Sequence, residues 1–245
     1  SLFGEGITLM ENRLYLLTWQ SGMGFVYDAT NLEKIKSFTY GESRQGWGLC
    51  NDGKKIFKSD GTEKIWFLDP ETLEETGHVE TVTNKSIFNM ANELEYVDGK
   101  IYANVYQKES MMIIDATSGA IEGVVNFGGL KSKVSKGTEW DDTNSVLNGV
   151  AYHPERKTFF VTGKNWDKLF EVTIQISFAM AEPSLTSRKD AFRGELFDQA
   201  EQRGIVRNLE WYSRLRASSF PYKPMKQTFF EPDVEKKRYR KDHPK

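Results

Sequence analysis

The sequence predicts an all-β fold of the β-propeller class, with about four blades and a tail of different character behind them. Two observations support this prediction. An apolar opening strand recurs four times, each time followed by short runs rich in Val, Ile, Tyr, Phe and Thr. If Ile7, Leu49, Leu94 and Val150 are equivalent, the repeats are 42, 45 and 56 residues apart. Steps of about 40 to 50 residues with about four short strands each are typical of propeller blades.

Turn signals divide each repeat into strands. Asp98-Gly99, set between alternating apolar residues, predicts a tight β-hairpin. Polar stretches that begin at Asp28, Asp69 and Asp115 predict turns that lead to an outer strand. Residues 128–144 are polar and hold few β-formers, so we expect a long loop there at the face of the propeller.

The charge pattern divides the chain near Ile174. Residues 1–174 contain 18 Lys and Arg against 25 Asp and Glu, a net charge of −7, whereas residues 175–245 contain 15 against 10, a net charge of +5. The second segment has apolar residues at helical spacing, then a proline-containing arm that ends in a basic cluster at 236–241. We therefore predict a propeller over 1–174 and a basic helical and extended tail over 175–245. The tail is either a partner-binding arm or a solvated, charge-rich extension.

Composition argues against several classes of function. The net charge of −2 gives no sign of nucleic-acid binding, and no apolar run reaches the about 18 residues of a membrane span. The lone Cys50 cannot form an intrachain disulfide. The three His lie far apart and show no zinc-ligand spacing, so we expect no metal and no other cofactor. The start at Ser1 resembles a processed or truncated end, and the compartment stays open.

Several short motifs occur in one order along residues 2–172. They are Phe3-Gly4-Glu5-Gly6-Ile7-Thr8, Leu17-Thr18-Trp19, Gly46-Trp47-Gly48-Leu49, Asn92-Glu93-Leu94-Glu95-Tyr96, Ile101-Tyr102-Ala103-Asn104-Val105, Leu147-Asn148-Gly149 and Phe160-Val161-Thr162-Gly163-Lys164 followed by Trp166. Together they resemble the plant and bacterial type of glutaminyl-peptide cyclotransferase, a five-bladed β-propeller. The resemblance implies that the first blade is missing from this chain, and suggests a secreted, periplasmic or organellar-lumen protein. It also implies a peptide or protein substrate with an N-terminal Gln.

The resemblance implies three catalytic residues. Glu5 would move the proton during cyclisation, Asn92 would orient the side-chain amide or stabilise the developing oxyanion, and Lys164 would supply a cation. Each has an ordinary alternative. Glu5 could be a salt-bridged carboxylate at a strand start, Asn92 could tie down a turn, and Lys164 could be an exposed turn lysine. Asn104 and Asn148 are weaker candidates, for which we expect structural roles.

The resemblance also implies an aromatic substrate-binding wall. Its members would be Phe3, Trp19, Trp47 and Tyr106, although the two Trp residues could equally be ordinary core. Tyr106 stands where the family has Trp, a change that keeps an aromatic ring. The family's Phe-x-Gln-Gly segment of the first blade has no counterpart here, so one wall of the pocket would be absent.

Two functions are consistent with the sequence. The first is a glutaminyl-peptide cyclotransferase, supported by the site motifs. The second is a non-catalytic accessory or interaction subunit of a larger complex, docked through residues 175–245, supported by the missing blade and the tail. Because propellers host many activities, the fold class alone does not choose between them.

Overall fold

The protein folds as four antiparallel sheets. The computed structural model describes residues 2–84 and 86–174. The first sheet contains β1 (Gly4–Met10), β2 (Arg13–Thr18), β3 (Met23–Asp28) and β4 (Lys34–Thr39), and the second contains β5 (Leu49–Asn51), β6 (Ile56–Ser59), β7 (Lys64–Leu68) and β8 (Glu75–Glu80). The third contains β9 (Ala91–Val97), β10 (Lys100–Val105), β11 (Ser110–Asp115) and β12 (Ile121–Asn126). The fourth contains β13 (Leu147–His153), β14 (Thr158–Gly163) and β15 (Phe170–Val172).

The sheets are arranged as propeller blades. Within each one the strands follow chain order, every strand pairing antiparallel with the next. The first strands of successive sheets lie side by side, β1 against β5, β5 against β9 and β9 against β13. This arrangement confirms the predicted all-β propeller with four repeats. The five-blade count stays a prediction, as does the division at residue 174, and the predicted tail lies outside the described residues.

The predicted turns are present. Asp98 and Gly99 connect β9 to β10 with φ angles of 49° and 83°, as a type I′ hairpin requires. At the ends of β3, β7 and β11, the Oδ1 atom of an aspartate accepts hydrogen bonds from the N–H groups two and three residues further on. These aspartates are Asp28, Asp69 and Asp115. Residues 128–144 form the predicted long loop, which contains one short 3-10 helix, Lys131–Lys133.

Apolar side chains fill the spaces between neighbouring sheets. Between the second and third sheets, the fully buried Phe57 stacks on Tyr96 with ring centroids 5.6 Å apart and meets Phe67 edge-on at 5.5 Å. Further buried residues of this layer are Trp47, Ile65, Leu94, Ile101, Met112 and Ile114. Similar clusters join the first sheet to the second and the third to the fourth. Since each layer belongs to two sheets, the sheets hold one another in place.

A buried lysine lies in the second sheet, outside these apolar layers. Lys58 is 0% exposed, and its Nζ lies 3.7 Å from Glu75 Oε1 and 4.2 Å from the centre of the Tyr40 ring. It also donates a hydrogen bond to Ser43 Oγ. Burial lowers the pKa of Lys58 to about 8, although Asp60 and Glu75 partly offset the effect. This network fastens the segment between the first two sheets to the second sheet.

Three further observations concern the described part of the chain. None of its helices is long and apolar enough to cross a membrane. Residues 2–84 and 86–174 also contain no group of three or more His, Cys, Asp or Glu side chains that could hold a metal ion. Cys50 is buried and has a free thiol.

Candidate active site

The first strands of three sheets, β1, β9 and β13, each contain a shift in strand pairing close to where the strand begins. Strand pairing shifts by one residue between Gly4 and Ile7 of β1, so that Glu5 and Gly6 together stand opposite one residue of β2. The same shift places Asn92 and Glu93 together in β9, and Asn148 and Gly149 together in β13. Such β-bulges redirect side chains and are frequent beside active sites. In the second sheet, Trp47-Gly48 occupies the matching position directly before β5.

The bulges bring the polar motif residues of separate repeats together. Gly6 N donates a hydrogen bond of 2.7 Å to the Trp47 carbonyl, which joins the first sheet to the second. Gly48 lies against the backbone of Asn92 and Glu93, so the second sheet meets the third at the same level. Neither Gly6 nor Gly48 has room for a side chain, which explains these two glycines. Glu5, Trp47 and Asn92 therefore lie in a row across three sheets.

Glu5 is joined to the fourth sheet by Lys164. Lys164 Nζ lies 3.4 Å from Glu5 Oε1, a contact between residues 159 positions apart. The side chains of Glu5 and Lys164 are 13% and 32% exposed, so a dissolved molecule can reach the pair. Burial raises the pKa of Glu5, and the charge and hydrogen bond of Lys164 partly offset this rise. Both ordinary alternatives thus describe part of the geometry, because Glu5 is salt-bridged and Lys164 follows the end of β14.

Asn92 is held by its backbone, whereas part of its side chain is left unpaired. Ser59 Oγ donates a hydrogen bond of 2.6 Å to the Asn92 carbonyl, and Gly48 N donates one of 2.8 Å to Ser59 Oγ. Asn92 itself is 4% exposed, and its Oδ1 finds no hydrogen-bond partner in the described part of the chain. An unpaired buried amide oxygen is costly, so it is suited to receive a donor from a bound molecule.

Aromatic side chains lie along the first three sheets. The Phe3 and Trp19 rings are 6.0 Å apart, and the Trp47 and Tyr106 rings are 5.4 Å apart, both pairs edge to face. Gln45 connects them, because its Oε1 accepts a hydrogen bond of 2.9 Å from the indole N–H of Trp19 and another of 2.9 Å from that of Trp47. The ordinary alternative applies in part, since Trp47 is 4% exposed and belongs to a core cluster, whereas Phe3 is 60% exposed.

Comparisons with known proteins identify the family of the chain. A family model described as glutamine cyclotransferase matches residues 1–174. The chain belongs to the glutamine cyclotransferase family. It is 37% identical over 176 residues to a glutaminyl-peptide cyclotransferase of Arabidopsis thaliana, covering 71% of this chain and 53% of that protein. A crystal structure of Myxococcus xanthus glutaminyl cyclase matches with a TM-score of 0.64 and 32% identity, covering 70% of this chain and 72% of that chain.

These matches confirm the family and the fold that the motifs predicted. The chain spans about half the length of the Arabidopsis relative, 53% of it. Roles of single residues in this glutamine cyclotransferase domain are not tested by the comparisons. The assignments of Glu5, Lys164 and Asn92 as catalytic, and of Phe3, Trp19, Trp47 and Tyr106 as substrate-binding, therefore stay predictions.

Two residues of the site were missed by the sequence reasoning. Gln45 accepts hydrogen bonds from two tryptophans, one of which only folding brings near it, and only its place beside Gly46-Trp47 could have suggested this role. Glu93 stands at the bulge of the third sheet beside Asn92, where the matching positions hold glycines. The sequence could have indicated Glu93, because the equivalent positions of the other three repeats are the glycines Gly6, Gly48 and Gly149.

Proposed function

We propose that the chain carries the active site of a glutaminyl-peptide cyclotransferase, which converts the N-terminal Gln of peptides and proteins to pyroglutamate and releases ammonia. One observation supports this most directly. The Glu5 carboxylate is paired with Lys164 at 3.4 Å, and backbone contacts at Gly6 and Gly48 connect its strand to Trp47 and to Asn92, whose Oδ1 is unpaired. The proton-transferring Glu5, the cation of Lys164 and the amide of Asn92 would thus act on one substrate, next to the aromatic side chains.

The reaction needs one proton to be moved. The lone pair of the substrate's α-amine attacks its own side-chain amide carbon, forming a C–N bond and placing negative charge on the amide oxygen. The old C–N bond then breaks, and the leaving nitrogen takes a proton to depart as ammonia. The attacking nitrogen loses one proton and the leaving nitrogen gains one, so no other reactant is consumed. A single carboxyl group can accept the first proton and supply the second.

Glu5 would serve as this carboxyl group. It is mostly buried yet reachable, and its pKa is raised above the ordinary value of a glutamate. A raised pKa brings the proton affinity of the carboxylate closer to that of the reacting nitrogens, which favours transfer in both directions. Lys164 would keep Glu5 ionised before the substrate binds and would stabilise the oxyanion afterwards.

Asn92 and the aromatic side chains would hold the substrate. Asn92 Oδ1 is suited to accept a hydrogen bond from the substrate amide N–H₂. Trp19, Trp47 and Tyr106, with Phe3 at the outer end, would contact the methylene groups of the Gln side chain and limit the access of water. Positioning of this kind matters because the attacking α-amine and the attacked side-chain amide carbon are joined by a flexible chain of single bonds.

The alternative function depends on residues outside the described part of the chain. An accessory subunit docked through 175–245 has no observation in its favour, and a protein partner for that segment stays a prediction, as does the secreted, periplasmic or organellar location. The proposed substrate is a peptide with an N-terminal Gln.

The test measures ammonia release and pyroglutamate formation from a Gln-initiated peptide, with the complete gene product as enzyme. Glu5→Gln keeps the shape of the side chain but removes the proton acceptor, so kcat should fall at least about 100-fold. Glu33→Gln, which changes an exposed glutamate in the turn between β3 and β4, is the matched control and should retain activity. Ammonia release at the normal rate by a folded Glu5→Gln protein would contradict the proposal.

A further inference from the structure

A single oxygen atom joins two tryptophans that belong to different repeats. Gln45 Oε1 lies 2.9 Å from the indole nitrogen of Trp19 and 2.9 Å from that of Trp47, and it accepts a hydrogen bond from each. The two nitrogens therefore cannot be more than twice 2.9 Å apart. An amide oxygen has two lone pairs, and both are used here. Gln45 thus fixes one edge of each ring.

The orientation of the Gln45 amide follows from the chemistry of its partners. An indole N–H donates a hydrogen bond but cannot accept one, so the oxygen of the amide, and not its nitrogen, must face both tryptophans. A side chain of the same length without an oxygen would remove both hydrogen bonds at once. Only Gln or Glu places an acceptor oxygen at this reach, so the position selects for the type of side chain.

The backbone beside Gln45 is fastened to the end of β2. Gly46 N donates a hydrogen bond of 2.9 Å to the Trp19 carbonyl. A Cβ at Gly46 would collide with the Tyr40 hydroxyl oxygen and would lie 2.9 Å from the Thr18 carbonyl oxygen. The Tyr40 hydroxyl in turn accepts a hydrogen bond from Thr18 N and donates one to the Thr18 carbonyl, both of 2.8 Å. A backbone held in this way keeps the acceptor oxygen in a constant place.

The two rings differ in how deeply they lie. A Cβ at Gly61 would come within 2.5 Å of the Trp47 ring, so the six-membered part of that ring lies directly against this glycine. Trp47 is 4% exposed and belongs to the core between the second and third sheets. Trp19 is partly buried, and its ring meets that of Phe3, which is 60% exposed, at 6.0 Å. Gln45 therefore ties the outer ring to one that is anchored in the core.

We propose that Gln45 is a positioning residue for substrate binding, which holds the Trp19 and Trp47 rings at one spacing so that they receive the substrate's Gln side chain without rearranging. The inference rests on the proposed function, in which these rings contact the substrate. Rings that are already in place lose less conformational freedom on binding, which strengthens binding. Proton transfer is left to Glu5 and Lys164. Loss of the Gln45 oxygen therefore raises KM more than it lowers kcat.

The first test is the kinetics of cyclisation of a Gln-initiated peptide by the complete gene product. Gln45→Met has a similar length but lacks the oxygen, so KM should rise about tenfold while kcat stays within about threefold of the parent value. Gln45→Glu keeps an acceptor oxygen and should restore KM to within about threefold of the parent. Gln20→Met, which changes an exposed glutamine next to Trp19, is the matched control and should keep the parent KM. An unchanged KM in Gln45→Met, or an equally raised KM in Gln45→Glu, would overturn the inference.

The second test needs no activity. In protein with ¹⁵N-labelled tryptophan, the indole N–H resonances of Trp19 and Trp47 are identified as those that vanish in Trp19→Phe and Trp47→Phe. Both should move upfield in Gln45→Met and stay close to their parent positions in Gln45→Glu, because a hydrogen-bonded proton resonates further downfield. The Trp66 resonance is the internal reference, since its N–H donates to Asp60 Oδ2 at 2.8 Å and should not move. Resonances of Trp19 and Trp47 that stay in place in Gln45→Met would contradict the proposal.

A third measurement uses the parent protein and does not depend on Gln45→Met being folded. The indole N–H groups of Trp19 and Trp47 should exchange with deuterium more slowly than that of Trp140, which donates to the exposed Asp142. Exchange of the Trp19 N–H as fast as that of Trp140 would show that the bond to Gln45 does not persist, and the role of Gln45 would be refuted.

These measurements separate the inference from the proposed function. Cyclisation that depends on Glu5, with KM and indole resonances unchanged in Gln45→Met, would refute the role of Gln45 and leave the function standing. The expected resonance shifts without any cyclisation by the parent protein would refute the function, and with it the role of Gln45 in substrate binding.

Discussion

Replacing Gly48 by Ala tests whether close approach of the sheets builds the site. An added Cβ would lie 2.7 Å from the Asn92 carbonyl carbon and 2.8 Å from the Glu93 Cα, and closer still to the Asn92 carbonyl oxygen. Ordinary contact begins at 3.4 Å, so the 2.7 Å contact alone requires the second and third sheets to separate by 0.7 Å, and the shorter contact with the Asn92 carbonyl oxygen requires more. All three atoms belong to the backbone, which cannot move aside as a side chain can.

The size of the effect follows from this geometry. Overpacking of a well-packed interior costs about 1–3 kcal/mol, and a collision with backbone atoms lies at the upper end of that range. In a domain of this size, about 3 kcal/mol lowers Tm by roughly 6–12 °C. The displacement also moves Asn92 relative to Glu5, so kcat should fall with stability, because sub-ångström positioning affects the rate of a positioned reaction.

The assay compares thermal unfolding, followed by circular dichroism, and cyclisation kinetics of Gly48→Ala with those of Gly137→Ala. Gly137 lies in the loop after the 3-10 helix, and a Cβ there would meet nothing within 4 Å, so this control should behave like the parent protein. If Gly48→Ala unfolded at the same temperature as Gly137→Ala, sheet contact at Gly48 would not be limiting, and our explanation of Gly6 and Gly48 would be wrong.

Two further predictions concern the interior. Phe57→Ala removes a fully buried ring that stacks on Tyr96, so the free energy of unfolding in urea should fall by about 3–5 kcal/mol; a loss below 1 kcal/mol would show that the layer refills the space. Lys58→Met leaves the carboxylate of Glu75, 6% exposed, without its cation, and should cost about 3–5 kcal/mol by the same measurement. Adding Glu75→Gln should recover part of that loss, whereas simple additivity of the two losses would contradict coupling between the charges.

The repeat pattern was sufficient to predict the sheets, because each strand is marked by local signals. Alternating apolar residues mark the strands, and Asp98-Gly99 and Asp69 mark turns whose geometry depends on a few consecutive residues. The motifs likewise indicated the family. What they could not reveal were contacts that depend on the spacing between sheets. The hydrogen bonds of Gln45 to two indoles and the burial of Lys58 against Tyr40 and Ser43 are contacts of this kind, since only folding brings the segments together.

The contact between Glu5 and Lys164 has a consequence for the order in which the protein folds and loosens. Each strand pairs with its neighbour in sequence, so the sheets form from local contacts, whereas this pair joins residues 159 positions apart. Contacts over such separations form late, because much chain entropy is lost before they are made. Partial opening of the first or fourth sheet would separate the pair while the middle sheets stay intact. The Glu5–Lys164 pair is therefore expected to be among the last contacts of the domain to form and among the first to be lost.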